Sequence, residues 1–348
     1  MPLRRVGYPL RGVVAYRRPV AGNPLTRLPG MTENLERVEV RLAESVKADD
    51  DFLTEVASHL ITAGGKRVRP ALTISAALSA AGELGEATEA SVLGGVSVEL
   101  VHLGSLYHDD VMDDATTRRT VESVNARWGN LKAILAGDFL LARASEIAAG
   151  LGTEVAGLLA ATIARLCEGQ VRELQDAYNV DRSEAAYVAS IEGKTAALFA
   201  TSCRIGALVA GFERDRIESL TRFGRSYGMA FQVIDDVLDV VASSEQLGKP
   251  AGHDLVEGVY TLPTSRALQG SAGEDLAALL GRPVEPEEVD KALAIIRADG
   301  AVAAALVVAR SHVEEGRAAL VGLGSSPVID AMAEASDVLV AQIDDFAL

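Results

Sequence analysis

The sequence predicts an all-α protein, a single large helical bundle around a deep apolar cavity. Of its 348 residues 49% are hydrophobic but only 4% aromatic, and Ala, Leu and Val supply most of the apolar content. Ala and Leu favour helices, and the β-branched and aromatic runs typical of strands are few. Apolar residues recur at helical spacing, as at Val92, Val96, Leu100 and Leu103, and 11 prolines leave long uninterrupted windows. About ten helices are expected, many of them buried.

The first thirty residues differ from the rest of the chain. They contain six Arg and no Asp, Glu or Lys. We expect residues 1–30 to form a disordered Arg-rich extension and residues 31–348 to form one folded domain. A targeting segment is the alternative for the extension.

Glycine and small polar clusters mark the predicted ends of the helices. Breaks are expected at residues 64–65, 82–85, 116–120, 150–153, 179–183 and 211–214. A longer irregular stretch is expected over residues 243–263.

Charge and composition narrow the classes of function. A net charge of −16 argues against nucleic acid as a partner, because phosphate backbones select basic surfaces. The longest clean apolar run, Ala301–Ala309, is far shorter than the roughly 18 residues of a membrane-spanning helix. Cys167 and Cys203 fit neither a disulfide framework nor a metal site. We therefore expect a cytoplasmic protein without a transmembrane segment.

The pattern D-D-x-x-D occurs twice, at residues 109–113 and 235–239, each time after a long apolar stretch. In a helix, residues four apart share a face, so Asp109 lies beside Asp113, and Asp235 beside Asp239. One such cluster is often only a solvated helix end. Two of them facing an apolar interior need counterions, and Mg²⁺ suits carboxylates that share it with water and substrate phosphates.

Cations near these motifs complete a possible diphosphate site. The segment 64–70, Gly-Gly-Lys-Arg-Val-Arg-Pro, carries three of them into a helix, and Arg118 and Arg119 follow the first acidic motif. Lys194 and Lys249 lie in apolar or Gly-rich surroundings. Arg suits bidentate phosphate contacts, and Lys acts as a point charge. The pattern indicates one diphosphate held through Mg²⁺ and another held directly by Lys and Arg.

Seven segments together resemble the trans-isoprenyl diphosphate synthases of the polyprenyl synthetase family, in particular bacterial medium- and long-chain enzymes. They are GGKRVRP at 64–70, ELVH at 99–102, LYHDDVMDDATTRR at 106–119, GDFLLARA at 137–144, GKTAALF at 193–199, FQVIDDVLD at 231–239 and GKPAGHDL at 248–255. The resemblance implies a Mg²⁺-dependent condensation of isopentenyl diphosphate with an allylic diphosphate. It implies a homodimer and allows a peripheral membrane contact during product release.

The resemblance also implies a role for each matching residue. The catalytic set would be Asp109, Asp110, Asp113, Lys194, Asp235, Asp236 and Asp239, with Asp109, Asp113 and Asp235 binding several Mg²⁺ ions. The allylic diphosphate would be bound by Arg118, Lys194, Thr195, Gln232 and Lys249. Isopentenyl diphosphate would be bound by Lys66, Arg69, His102 and Arg119.

Two segments depart from the family pattern. Thr120–Ser123 replaces the Gly-x-Pro-Thr that often follows the Arg pair, and Val259 stands where a Lys is common. One expected diphosphate-binding cation is therefore missing.

By the same resemblance, the product length would depend on residues one and two helical turns before the first motif, where bulky side chains would form a floor. Val101, Gly104 and Ser105 are small or moderate, which favours hexaprenyl to nonaprenyl products. A geranylgeranyl diphosphate synthase and a non-catalytic subunit of a heteromeric synthase are the alternatives. A terpene cyclase has no need of the isopentenyl pocket, and a helical carrier has no use for paired carboxylates.

Overall fold

The computed structural model describes residues 23–80, 85–243, 251–298 and 300–343, and it confirms the all-α prediction. The α-helices are α1 Met31–Ser45, α2 Asp51–Thr62, α3 Val68–Leu78, α4 Glu89–Met112, α5 Val124–Trp128, α6 Asn130–Gly150, α7 Thr153–Gln175, α8 Glu184–Ile191, α9 Ala197–Val209, α10 Arg214–Val241, α11 His253–Val256, α12 Leu262–Leu268, α13 Gly273–Leu279, α14 Pro286–Ala298, α15 Ala301–Leu320 and α16 Pro327–Ala341. There are more helical segments than the ten expected, because several have only one or two turns.

Side-chain caps explain why several helices begin where they do. In each case a side-chain oxygen accepts a hydrogen bond from the backbone N–H three residues later, which satisfies a donor that the helix leaves open. The capping residues are Asp50 for α2, Thr88 for α4, Ser123 for α5, Ser183 for α8 and Ser326 for α16.

The centre of the bundle is formed by α4 and α10. Helix α4 packs along α6, and α10 packs along α9 and α15. Helix α4 is long and apolar enough to span a membrane by length and composition alone, but 72% of its apolar window is buried inside the protein. The two helices that carry the acidic motifs are thus core elements.

The folded domain begins earlier than residue 31. A 3₁₀ turn over Pro24–Arg27 precedes α1, and Leu25 and Leu28 belong to the hydrophobic core. The predicted extension therefore needs correction for residues 23–30, whose apolar side chains pack despite the Arg-rich composition. Residues 1–22 lie outside the described ranges.

The predicted breaks at 64–65, 116–120, 150–153, 179–183 and 211–214 all fall between observed helices. Residues 82–84 lie outside the described part of the chain. The break at 116–120 holds an unpredicted antiparallel hairpin of β1 Thr117–Arg118 and β2 Val121–Glu122. Its turn residues, Arg119 and Thr120, have φ values of 53° and 66°, as a two-residue hairpin turn with both φ angles positive requires.

Helices α8 and α9 are joined by one turn of π-helix, Glu192–Ala196. This turn lies directly against α7 at two glycines. A Cβ on Gly193 would come 2.9 Å from the carbonyl oxygen of Arg165, and one on Gly169 would overlap the backbone nitrogen of Lys194. Only residues without a side chain allow this approach, which brings Lys194 to α7.

Candidate active site

The first acidic motif lies at the C-terminal end of α4. Asp113 caps the helix, and its N–H donates to the carbonyl of Asp109, so the two residues share the last turn as predicted. Asp110 points the other way and is fully buried. Its Oδ1 accepts a hydrogen bond of 2.6 Å from Nε of Arg118, while Asn125 donates to its backbone carbonyl. Asp110 therefore positions Arg118 from the side of the protein interior.

Burial and neighbouring charge shape the two outer carboxylates of this motif. Burial raises the pKa of Asp109, and the positive charge of Lys194 opposes that rise. Burial and the like charge of Glu257 raise the pKa of Asp113 to about 6. A cation placed between these carboxylates would stabilise their charged forms and lower both pKa values.

Lys194 is held by a carboxylate that the motifs did not indicate. Its ammonium donates to Glu173 of α7. Burial lowers the pKa of Lys194, but the negative charges of Glu173, Asp109 and Asp113 outweigh it and raise the pKa above its ordinary value. Lys194 is therefore a permanent cation within electrostatic reach of the first acidic motif.

Hydrogen bonds link the second acidic motif to Thr195, the residue after Lys194. The hydroxyl of Thr195 donates to Gln232 (2.7 Å), and the amide of Gln232 donates to Asp236 (2.8 Å). The other oxygen of Asp236 accepts from the Tyr187 hydroxyl at 2.5 Å. Burial raises the pKa of Asp236, and the bonds from Tyr187 and Gln232 partly offset that rise. Tyr187 is another functional neighbour that the motifs did not indicate.

The outer members of the second motif have different surroundings. Asp235 is exposed, whereas Asp239 is buried. The Asp239 side chain accepts from the N–H of Asp254, and its carbonyl accepts from the N–H of Gly252. Asp239 thus fixes the segment that follows α10. Lys249, the remaining predicted ligand of the allylic diphosphate, lies outside the described residues.

Lys194, Thr195, Gln232 and Asp236 line a cleft of about 100 Å³. Its lining comprises Glu173, Arg182, Tyr187, Ile191, Lys194, Thr195, Gln232, Asp236, Asp254, Glu257, Val259 and Thr261. Charged and polar side chains predominate in this lining. The deep apolar cavity stays a prediction.

The residues predicted to bind isopentenyl diphosphate form a second cationic group. The guanidinium of Arg69 lies 4.4 Å from the ring centroid of Phe199, and burial together with the charge of Arg119 lowers its pKa to about 10. Arg119 donates to the carbonyls of Leu60 and Gly64. Burial and Arg69 hold the pKa of His102 well below its ordinary value, so its ring is neutral at pH 7. Lys66 is exposed beside them.

Arg67 lies within the same motif but has a structural role. Its side chain is fully buried and donates to Glu39 (2.6 Å) and Glu99 (2.7 Å). The positive charge of Arg67 is therefore paired inside the protein. Lys66 and Arg69, on either side of it in the sequence, are the cations of this motif that a ligand could use. Its position was visible in the sequence, but only its two distant carboxylates reveal this role.

The predicted chain-length residues divide into two kinds. Gly104 packs against α6, where a Cβ would lie 3.1 Å from the Gly137 carbonyl oxygen and from Leu141. Its small size thus serves the contact between helices and does not by itself indicate an open channel. Val101 is fully buried, and half-buried Ser105 donates to the carbonyl of His102.

Mg²⁺ fits the donor set at the end of α4. Within the described ranges, no three His, Cys, Asp or Glu side chains are grouped to hold a metal ion by themselves. Mg²⁺, however, is commonly bound through one or two carboxylates, with water and substrate phosphates filling its other positions. Asp109 is half-buried and Asp113 is exposed; both lie in the last turn of α4 and have raised pKa values, so their carboxylates match that requirement.

The comparison with known proteins decides the family. The polyprenyl synthetase pattern matches residues 50–297. The chain belongs to the polyprenyl synthetase family. It is 40% identical over 311 residues to nonaprenyl diphosphate synthase of Mycobacterium tuberculosis. The aligned region covers 88% of this chain and 91% of that protein.

Other members of the polyprenyl synthetase family give the same picture. Heptaprenyl diphosphate synthase component 2 of Geobacillus stearothermophilus is 36% identical over 294 residues, covering 84% of this chain and 91% of that protein. The crystal structure of a polyprenyl synthase from Caulobacter crescentus, complexed with calcium and isoprenyl diphosphate, superposes with a TM-score of 0.85 at 31% identity. It covers 93% of this chain and 99% of that one. The predicted family, fold class and enzyme class are thereby confirmed.

Proposed function

We propose that this polyprenyl synthetase is a Mg²⁺-dependent prenyltransferase that condenses isopentenyl diphosphate with an allylic diphosphate. The observation that carries the proposal is that two separate cationic groups lie beside one helix, α4. His102 belongs to the group with Arg69 and Arg119, and Asp109 faces Lys194. Seven residues of helix place them about 10 Å apart along α4. Two diphosphates can thus bind at once, with their reactive ends between the groups.

The reaction would begin with cleavage of the bond between the allylic carbon and the diphosphate oxygen, whose electron pair leaves with the diphosphate. The π electrons of isopentenyl diphosphate then form a bond to the allylic cation, and loss of a proton restores a double bond. When bound, Mg²⁺ offsets the charge that develops on the leaving diphosphate. Lys194 and Arg118, positioned by Glu173 and Asp110, add fixed positive charge at the same place.

The predicted product is an all-trans polyprenyl diphosphate of medium or long chain, from hexaprenyl to nonaprenyl. Support comes from two relatives, the nonaprenyl diphosphate synthase of Mycobacterium tuberculosis and the heptaprenyl diphosphate synthase component 2 of Geobacillus stearothermophilus. The small side chain of Ser105, one turn before Asp109, is expected to leave room for a growing chain, whereas Gly104 packs against α6. We place the enzyme in the cytoplasm as a homodimer, with a peripheral membrane contact for releasing a long product.

The direct test is incubation of the purified chain with isopentenyl diphosphate, Mg²⁺ and one of several allylic primers, followed by product sizing. We expect a ladder that ends between the hexaprenyl and nonaprenyl lengths. A ladder that stops at geranylgeranyl diphosphate would favour the short-chain alternative. Failure to turn over any primer would contradict the proposed activity.

A second candidate is a subunit of a two-component synthase, which the name of the Geobacillus relative favours. Such a subunit would need a partner chain for full activity. Both acidic motifs are complete here, which favours a self-sufficient enzyme. Full turnover by the purified chain alone would decide against the two-component form.

A further inference from the structure

We propose that Arg182, on the loop between α7 and α8, is an additional ligand of the diphosphate bound in the cleft. The inference rests on the proposed function, since it concerns the diphosphate group that this function places beside Lys194. None of the family motifs contains Arg182. Its candidacy comes from its burial, its hydrogen bonds and the wall of the cleft to which it belongs.

Arg182 is buried but only partly bonded. Its side chain is 2% exposed and lines the cleft together with Lys194, Thr195 and Gln232. Nη1 donates to the carbonyl of Tyr260 at 3.1 Å, and Nε lies 3.5 Å from a carboxylate oxygen of Asp176. Nη2 is buried and has no hydrogen-bond partner among the described residues.

A buried guanidinium with an unsatisfied N–H donor destabilises the protein unless a hydrogen-bond acceptor binds to that donor. Arg carries five N–H donors in a planar fork, a geometry that matches phosphate oxygens. An unsatisfied buried donor costs free energy that a bound anion would recover. A diphosphate is the anion that the cleft is proposed to bind, and its oxygens are acceptors only.

The distribution of charge in the cleft gives Arg182 a specific task. Lys194 already shares its charge with Glu173, and three further carboxylates line the same cleft, those of Asp236, Asp254 and Glu257. A diphosphate entering between these acids needs a cation besides Lys194 and any bound metal. Arg182, in the wall of the cleft, can supply this second positive charge.

The backbone places Arg182 close to Val259, an apolar residue that also lines the cleft. Arg182 bonds the carbonyl of Tyr260, one residue after Val259, and the Tyr178 N–H donates to the Gly258 carbonyl at 2.8 Å. The loop after α7 and the segment 258–260 thus form one continuous surface. A cation carried by the loop can serve the space beside Val259, whose own side chain has no charge.

A merely structural role for Arg182 is the competing explanation, because the bond to Tyr260 could fix the segment 258–260 without touching a ligand. The variant Arg182→Gln separates the two roles. It keeps an N–H donor for the Tyr260 carbonyl and removes the positive charge. Val259→Lys in the same chain returns a cation to this wall from the other side.

The experiment measures binding of inorganic pyrophosphate with Mg²⁺ by calorimetry, and the KM values of both substrates, in the full chain. We expect Arg182→Gln to weaken pyrophosphate binding and raise the allylic KM about ten- to hundredfold, with the KM for isopentenyl diphosphate unchanged. Adding Val259→Lys should restore most of the loss. Arg216→Gln is the matched control, since Arg216 bonds the carbonyls of Ser79 and Leu323 away from the cleft.

Unchanged pyrophosphate binding in a folded Arg182→Gln variant would overturn the proposal, as would a loss that Val259→Lys does not reduce. If Arg182→Gln does not fold, Val259→Glu is measured instead, because it leaves the bonds of Arg182 to the backbone in place and sets a negative charge beside the guanidinium. Unchanged pyrophosphate affinity in that variant would then overturn the proposal. Failure of the proposed function is seen separately, as absence of product from the wild-type chain, and the calorimetric readout does not depend on turnover.

Discussion

Lys194 shows how a cation of the cleft is prepared before a substrate arrives. The sequence indicates the residue through its motif, but its partner, Glu173, lies 21 residues earlier in another helix. Tyr187 and Asp236, which share a hydrogen bond, are 49 residues apart. The motif residues were therefore predictable, whereas the groups that hold them were not, because those contacts depend on how α7, α8 and α10 pack.

The Glu173 carboxylate competes with a diphosphate for the Lys194 ammonium. Replacing Glu173 with Gln should leave Lys194 in place and free its charge. We expect Glu173→Gln to bind inorganic pyrophosphate about fivefold more tightly, since a partly exposed ion pair is worth up to about 1 kcal/mol. Calorimetry provides the measurement, and Lys194→Ala should show the opposite change. Weaker binding in Glu173→Gln would mean that Glu173 assists the ligand.

Among the elements, the π-helical turn Glu192–Ala196 has the most direct bearing on the site. Helical periodicity predicted α8 and α9 but could not reveal a single wider turn between them. The hairpin at 117–122 was not predicted for a similar reason, because strands of two residues are too short to show an alternation of apolar and polar residues. Both irregular elements deliver cations, Lys194 and Arg119, to a candidate site.

The contact between α7 and the π-helical turn can be tested at Gly169. A Cβ there would overlap the backbone of Lys194, so Gly169→Ala should destabilise the protein by about 1–3 kcal/mol and displace Lys194. We expect lower turnover together with a lower denaturation midpoint. The matched control is Gly157→Ala in the same helix, where a Cβ meets nothing within 4 Å. That variant should be as stable as the wild type or up to about 1 kcal/mol more stable. Equal behaviour of the two variants would contradict the packing argument.

For the whole molecule, a net charge of −16 coexists with a function that binds diphosphates. In the proposed function the acidic motifs would recruit Mg²⁺ and a few individual cations would bind the anions directly, so the net charge of the chain says little about the site. The fold class was predictable because the core helices are long, apolar and separated by glycine. The start of the domain was not, since Leu25 and Leu28 lie in an Arg-rich stretch and only their packing shows that they belong to the core.

The buried network of Arg67, Glu39 and Glu99 ties α1, α3 and α4 together and makes stability depend on pH. Burial raises the pKa of Glu99, but Arg67 and other cations outweigh it and lower the pKa from 4.5 to about 2. The stabilisation is therefore complete above pH 4.5 and is lost as the pH falls toward 2. The free energy of unfolding should be lower in Glu99→Gln than in the wild type at pH 7, and this difference should shrink below pH 4.5. A difference that stays constant down to pH 3 would contradict the role of the Glu99 charge.

In the proposed reaction, Asp109 and Mg²⁺ together drive release of diphosphate from the allylic substrate. Its most direct test is the rate of diphosphate release with both substrates present, in the wild type, in Asp109→Asn and in the exposed control Asp330→Asn, each with Mg²⁺ or with chelator. We predict release only with Mg²⁺, unchanged in Asp330→Asn and slower by about 10²–10³-fold in a folded Asp109→Asn variant. Near-normal release by Asp109→Asn, or release by the wild type in chelator, would contradict the claim.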